Sequence, residues 1–341
     1  MTMSLQTFRE EYTECFLSRL WRQWAALGVF AAGTAPEVNA DQEIAVIDPE
    51  ALLLASWELG RLDPRLYDEV LSWLVSHGEV INLQRLGNLA RRQPELDRSL
   101  VAAPAAWLFN TFGDTRWKRL AGISRPERPA AFFLDPHGQP LPGWGEQDPA
   151  FQRAGWLRGP VRLRDLSTGV STKSAATLWL RLRYLFGLNI RADVIVYLLT
   201  HDSAHPSELS RGVHFSQPSL FRVCQELESS GLVHSFRQGN QRRYRLMPER
   251  WRDFLGTGPV RWVNWAAQLH FHQHMWRFLY GRDWTGVSTY LQASELRAAL
   301  QEALYIKEIR ELPAEFHNVF DLPGEAFLAP ATARLREFAV E

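Results

Sequence analysis

Residues 207–246 read SELSRGVHFSQPSLFRVCQELESSGLVHSFRQGNQRRYRL, an apolar helical pattern followed at once by a short run crowded with arginine. Just upstream, residues 192–200 carry an apolar helix pattern, and Pro206 opens a second, short helix whose Leu209 and Val213 face inward. His214 and Phe215 make a turn, and Ser216 stands as N-cap of a third helix. In that helix Leu220, Val223, Cys224 and Leu227 fall at i, i+3, i+4 and i+7, which turns one face toward a core. The opposite face carries Gln217, Ser219, Phe221, Arg222, Gln225 and Glu226, and Gly231 ends the helix. Residues 232–237 and 241–246 alternate as strands joined by Gln-Gly-Asn, whose Gly and Asn accept positive φ. Tyr244 and Leu246 share one face of the second strand, Arg243 and Arg245 the other. The order is helix, helix, helix, hairpin.

Charge gives this order a direction. Across the 341 residues, 38 basic and 38 acidic side chains cancel, so no global field draws the chain toward nucleic acid or an anionic membrane. Over residues 181–250, however, ten Arg and no Lys face six Asp or Glu, a local balance of +4. A short helix reads the major groove only when its N-terminal side chains are free and its back is anchored, and an adjacent basic hairpin can grip phosphate beside it. The basic excess sits where DNA would lie.

The surrounding chain is mainly helical by pattern. Phe8, Tyr12, Phe16, Leu20, Trp24 and Leu27 recur every three or four residues, and Asp48-Pro49 and Asp63-Pro64 each read as a helix start with a capping carboxylate and a preset first turn. A short strand-like EIAVI precedes the first of these starts. Residues 126–156 are dense in Pro and Gly without a sustained period, and periodicity returns near Ser174. Trp262, Trp265, Leu269, Trp276 and Leu279 mark a further helix, and SELRAALQEALYIKEIREL another. We therefore expect a multi-module helical protein: an N-terminal helical module over 1–125, a connection over 126–173, the helix-and-hairpin unit over 174–257, and a C-terminal helical module over 258–341. EVLSWLVSHG (69–78) also matches DVIVYLLTHD (193–202) in character. Two amphipathic helices alike by chance, or a degenerate copy of the same unit lacking its hairpin, both account for it.

Residues 190–247 resemble the winged helix-turn-helix of bacterial MarR and ArsR type transcriptional regulators, through ELSRGVHFSQPSLFRVCQELESSGLV and RQGNQRRYRL. The resemblance covers about a fifth of the chain and implies a DNA-binding fold of three helices plus a β-hairpin wing. It puts Ser216, Gln217, Ser219 and Arg222 where such proteins contact bases and phosphates, and Arg237, Asn240, Arg242 and Arg243 on the wing. Two positions depart from the family pattern: His214 stands at a turn position that usually holds Gly, although His accepts left-handed geometry better than most residues. Phe221 stands where a small polar residue is usual.

Other features read as structural. His270, His272 and His274 lie near one another, but no carboxylate or Cys adjacent in sequence completes a metal set. His77 and His201 at matched helix ends read as C-terminal caps. Asp48, Glu50, Asp63 and Asp68 invite an acid-pair reading that the two Asp-Pro caps largely remove. No Gly-rich phosphate loop, GxSxG elbow or HExxH is present, so no cofactor and no enzymatic activity are expected. Cys15 and Cys224 lie on apolar helix patterns as small hydrophobes. The charged N-terminus and the lack of an 18-residue apolar run lead us to expect a cytoplasmic protein. The expectation is a sequence-specific regulator of double-stranded DNA, homodimeric through helices 6–28 and 260–310. The alternatives are a protein-interaction scaffold, such as a component of a defence or toxin-antitoxin system, and last an enzyme with a cryptic site in 41–170.

Overall fold

The computed structural model describes residues 4–29, 45–122, 129–141, 143, 145–164, 166–251, 254, 260–305 and 316–340. These are mainly helical. The N-terminal half holds α1 (Leu5–Ala26), α2 (Pro49–Leu59), α3 (Pro64–His77), α4 (Leu83–Arg92), α5 (Ser99–Phe112), α6 (Lys118–Ala121) and α7 (Pro149–Arg153), with short parallel strands β1 (Ala130–Ala131) and β2 (Trp156–Leu157). There follow α8 (Leu178–Phe186), α9 (Ile190–Leu199), α10 (Pro206–Val213), α11 (Gln217–Ser229) and the antiparallel pair β3 (Val233–Gln238) and β4 (Gln241–Leu246). The chain closes with α12 (Trp265–Tyr280), α13 (Thr289–Tyr305), α14 (His317–Phe320) and α15 (Leu328–Val340). Of the strand expected at EIAVI, Glu43 and Ile44 lie outside the described residues, and Ala45 makes an isolated bridge to Arg261. The last part of SELRAALQEALYIKEIREL and residues 255–257 of the expected central unit also lie outside them. Among the described residues no helix is long and apolar enough to cross a membrane.

The two helix starts form as their residues demand. Asp48 Oδ1 accepts from the Ala51 N–H at 3.1 Å, and Asp63 Oδ1 accepts from the Arg65 and Leu66 N–H groups at 3.0 Å each. Each carboxylate thereby satisfies amide groups that the first helical turn leaves without partners.

Two apolar cores result. The larger one joins both ends of the chain: Phe8, Tyr12, Phe16, Leu20 and Trp24 of α1 pack with Leu269, Phe271 and Met275 of α12 and with Leu335 and Phe338 of α15. Polar groups inside it are paired. Arg19 Nη1 donates to His272 Nε2 at 2.9 Å, which leaves Nδ1 of a neutral ring to donate to Tyr12 Oη at 2.7 Å. The aromatic faces of α1 and α12 are thus covered within one chain. The second core is local to α8–α11, β3 and β4, with Val46 contributed from the N-terminal half.

A buried ionic network fixes one core against the other. Arg85 on α4 binds both oxygens of Asp48 at 2.6 and 2.5 Å and Glu50 at 2.8 Å. Arg183 on α8 grips Glu50 at 2.5 and 2.9 Å and reaches Asp193 on α9 at 2.9 Å. Trp179 closes the set by donating Nε1–H to Asp193 at 2.7 Å, with the Arg85 guanidinium 4.5 Å from its ring centre. All five ionic side chains are buried, so each charge depends on its partners. Burial pushes the Asp193 carboxyl above its usual range even against Arg183 and Arg85, whereas the Arg85 contacts overcome burial at Asp48 and hold it low.

Candidate nucleic-acid interface

Three helices and a hairpin occupy residues 190–246, each positioned by local chemistry. The Asn189 side chain caps α9 by accepting from the Arg191 N–H at 2.8 Å. His205 caps α10 in a reciprocal pair with Glu208: the Ser207 N–H donates to His205 Nδ1 at 3.2 Å, and the His205 N–H donates to Glu208 Oε2 at 2.9 Å. Ser216 caps α11, accepting from the Ser219 N–H at 3.4 Å. Between α10 and α11 the chain turns on His214, whose φ of 59° and ψ of 37° are left-handed. Among the described residues it is the one non-glycine with positive φ. Close approach of α9 and α10 depends on Gly212, where a methyl group would come within 2.2 Å of Tyr197 Cε2.

The hairpin pairs Val233 with Leu246, Ser235 with Tyr244 and Arg237 with Arg242 on one face. Val233, Tyr244 and Leu246 are buried, as alternation predicts. Ala204, in the link between α9 and α10, adds a third pairing: its N–H donates to the Tyr244 carbonyl at 2.8 Å and its carbonyl accepts from the Tyr244 N–H at 2.9 Å. The hairpin is thereby anchored along one edge to the helices.

The outward face of α11 follows the sequence pattern. Leu220, Cys224 and Leu227 are buried and Val223 is half-buried, while Gln217, Phe221, Arg222, Gln225 and Glu226 are exposed. Ser216 and Ser219 bond to each other, Oγ to Oγ at 2.7 Å, so their hydroxyls are engaged at the cap. Glu226 pairs with Arg191. Neither Gln217 nor Arg222 has a hydrogen-bond or ion-pair partner among the described residues. Arg237 and Asn240, both exposed, line an open hollow of about 580 Å³ at the hairpin tip with Phe236 and Arg242.

The other two candidate hairpin arginines are committed inside the unit. Arg243 lies on the outward strand face, yet its guanidinium binds Glu208 at 2.9 and 2.8 Å and Ser203 through Oγ and the carbonyl, both at 3.0 Å. It ties β4 to the start of α10, and its side chain is 16% exposed. Burial alone would raise the Glu208 carboxyl, but the Arg243 and His205 N–H bonds outweigh it and the net shift is downward. Arg242 donates to Glu228 at 2.6 Å and to Ser235 at 3.1 Å, linking hairpin to α11 while remaining part-exposed. Alternation puts Arg245 outward as well, although the resemblance does not single it out. It is exposed, with its guanidinium 5.8 Å from the Phe236 ring centre.

Behind the turn, α4 supports the interface. Arg85 Nε donates to the Val213 carbonyl at 3.0 Å, Asn88 Nδ2 donates to the His214 carbonyl at 3.1 Å, and Arg92 Nη1 lies 3.1 Å from His214 Nδ1. Burial, with the Arg85 and Arg92 charges added to it, pushes the His214 imidazole down to about 3. The earlier helix set is ordered alike, α3 then the short α4 then α5, but residues 99–108 of α5 are all buried, leaving little of that helix to read a groove.

Two structural readings need correction. Glu95, distant in sequence, brings a carboxylate to the histidine run: it lies 2.9 Å from His270 Nε2 and 3.9 Å from His274 Nδ1. Arg277 is also near Glu95, at 3.7 Å, and among the described residues no group of His, Cys, Asp and Glu is placed to hold a metal. His201 Nδ1 does sit at its own helix end, 2.8 Å from the Tyr197 carbonyl, but His77 Nε2 reaches instead to the Thr168 carbonyl at 3.2 Å. Comparison with protein-family models, curated proteins and solved structures returned no match to this chain.

Proposed function

We propose that residues 174–257 form a winged helix-turn-helix and that the chain is a sequence-specific regulator of transcription acting on double-stranded DNA. The observation that carries the reading is a set of exposed polar side chains on one unit that have no hydrogen-bond or ion-pair partner among the described residues: Gln217 and Arg222 on α11, Arg237 and Asn240 at the hairpin tip. Internal pairing engages Arg242, Arg243 and Glu226 but leaves these four to solvent. Arg and Gln near the start of a helix suit the acceptor and donor edges of G and A, and Arg237 and Arg245 suit phosphate. Ser216 and Ser219 would act first as the cap that aims the helix.

A homodimer remains part of the proposal, since two reading heads match a two-fold operator. Tyr184, Leu185 and Leu188, all exposed at the start of this unit, offer it an apolar surface. A second reading, the protein-interaction scaffold, draws on Phe221 and Phe236, which are 41% and 38% exposed. Recovery of bound DNA across a genome, followed by anisotropy on the recovered site, separates the two. Arg222→Ala or Gln217→Ala should weaken the preferred site by about 1–3 kcal/mol and relax base preference. Equal losses on specific and random DNA would remove base reading, and salt-insensitive association with a protein would favour the scaffold.

A further inference from the structure

A groove of about 510 Å³ runs between α4 and the segment leading through α6. Leu83, Ala90 and Leu120 contribute apolar lining, and Arg91, Arg98, Arg116 and Arg119 also line it, with no Asp or Glu among the described lining residues. Arg116 is neutralised by Asp114 at 2.6 Å, and Arg91 donates to Asn88. Arg98 and Arg119 have no hydrogen-bond or ion-pair partner among the described residues. Among the described residues the groove therefore carries positive charge without a matching carboxylate at Arg98 and Arg119, in a concave, partly apolar setting that strengthens the attraction of an anion.

Its position names the anion. Asn88 lines the groove and donates to the His214 carbonyl, and His214 is two residues from the Ser216 cap of α11. The basic groove and the exposed start of α11 thus adjoin through one side chain. We propose that the groove binds the phosphate backbone of the same DNA, flanking the bases read by α11. This extends the contact from the three-helix unit onto the N-terminal half and rests on the reading given under Proposed function. Backbone contacts of this kind fix register and orientation without reading sequence.

The test is fluorescence anisotropy on a duplex of about 30 base pairs, long enough to extend past one major-groove site by the ~34 Å helical repeat, across several salt concentrations. Arg98→Gln/Arg119→Gln should weaken specific and random duplex alike and flatten log K against log salt by roughly two units, about one per lost phosphate. Exposed Arg119→Gln alone should flatten it by about one unit, which keeps the test sound if the double variant unfolds. An unchanged slope in Arg119→Gln and the double variant, while Arg222→Ala still loses base preference, overturns the groove proposal and leaves DNA reading intact. No duplex binding by the unmutated chain overturns both. Pyrophosphate binding that the double variant loses, with duplex affinity unaltered, assigns the groove to a small anion and overturns its role as a backbone site.

Discussion

His214 should make the turn before α11 sensitive to acid, and His214→Asn should remove that sensitivity. Asn accepts left-handed φ, so the backbone conformation is retained while the titrating ring is lost. The imidazole titrates at about 3 in the fold because it is buried beside Arg85 and Arg92, and its Nε2 is buried without a partner. In the unfolded chain it titrates near ~6.5. Since the folded value is the lower one, the unfolded chain takes up the proton first. Stability is complete above ~6.5 and falls with pH below that value by about 1.4 kcal/mol per unit until the folded ring also protonates. From pH 8 to pH 5 this one residue should cost about 2 kcal/mol. His272 and His201 are shifted the same way, chiefly by burial, and contribute in both proteins, so the difference isolates His214. Urea unfolding at pH 8 and pH 5 measures it. The unmutated chain should lose about 2 kcal/mol more than His214→Asn; an equal loss in the two proteins would refute the buried-imidazole argument.

The buried network predicts that Arg183→Met, which strips Asp193 of its direct ion-pair partner and leaves Glu50 held by Arg85 alone, lowers stability by about 3–5 kcal/mol in thermal unfolding; a loss below ~1 kcal/mol would mean that water reaches the site. Gly212→Ala should destabilise by about 1–3 kcal/mol despite better helix propensity, because the Tyr197 ring is stacked on His201 at 3.8 Å and cannot withdraw. A stabilised variant would show that the ring moves freely. On the hairpin, Arg243→Ala should cost about 1–3 kcal/mol of stability by leaving Glu208 without its partner. Arg237→Ala should change stability by less than ~0.5 kcal/mol yet flatten the salt dependence of DNA binding by about one unit. The reverse pattern in unfolding and anisotropy would exchange the two roles.

Within the central unit much was legible because its signals are short-range. The spacing of Leu220, Cys224 and Leu227 specifies which face of α11 goes inward, alternation does the same for Tyr244 and Leu246, and Gln-Gly-Asn marks the turn, where Gly239 indeed has φ of 59°. Caps at Asp48, Asp63 and Ser216 were readable for the same reason: donor and acceptor lie within three residues of each other. His214 as a turn residue is an expectation from the family resemblance, whose usual Gly it replaces, and its φ of 59° is left-handed.

Partner choice was not legible in this way. Arg243 and Arg245 share a strand face, so alternation cannot distinguish them; the tertiary fold does, by bringing Glu208 to Arg243 from 35 residues away. Likewise Asp48 reads locally as a cap, and only packing brings Arg85 against it and Arg183 against Glu50 two residues on. The aromatic stripes of α1 and α12 announce burial but do not say whether a second copy or the same chain supplies the cover, and here α1, α12 and α15 cover one another. The sequence determined the helices, their caps, the hairpin and its inward faces, because those depend on torsional preferences and contacts within a few residues. The tertiary structure decided which arginines stay exposed and which hold the fold, because a charge finds its partner by position in space.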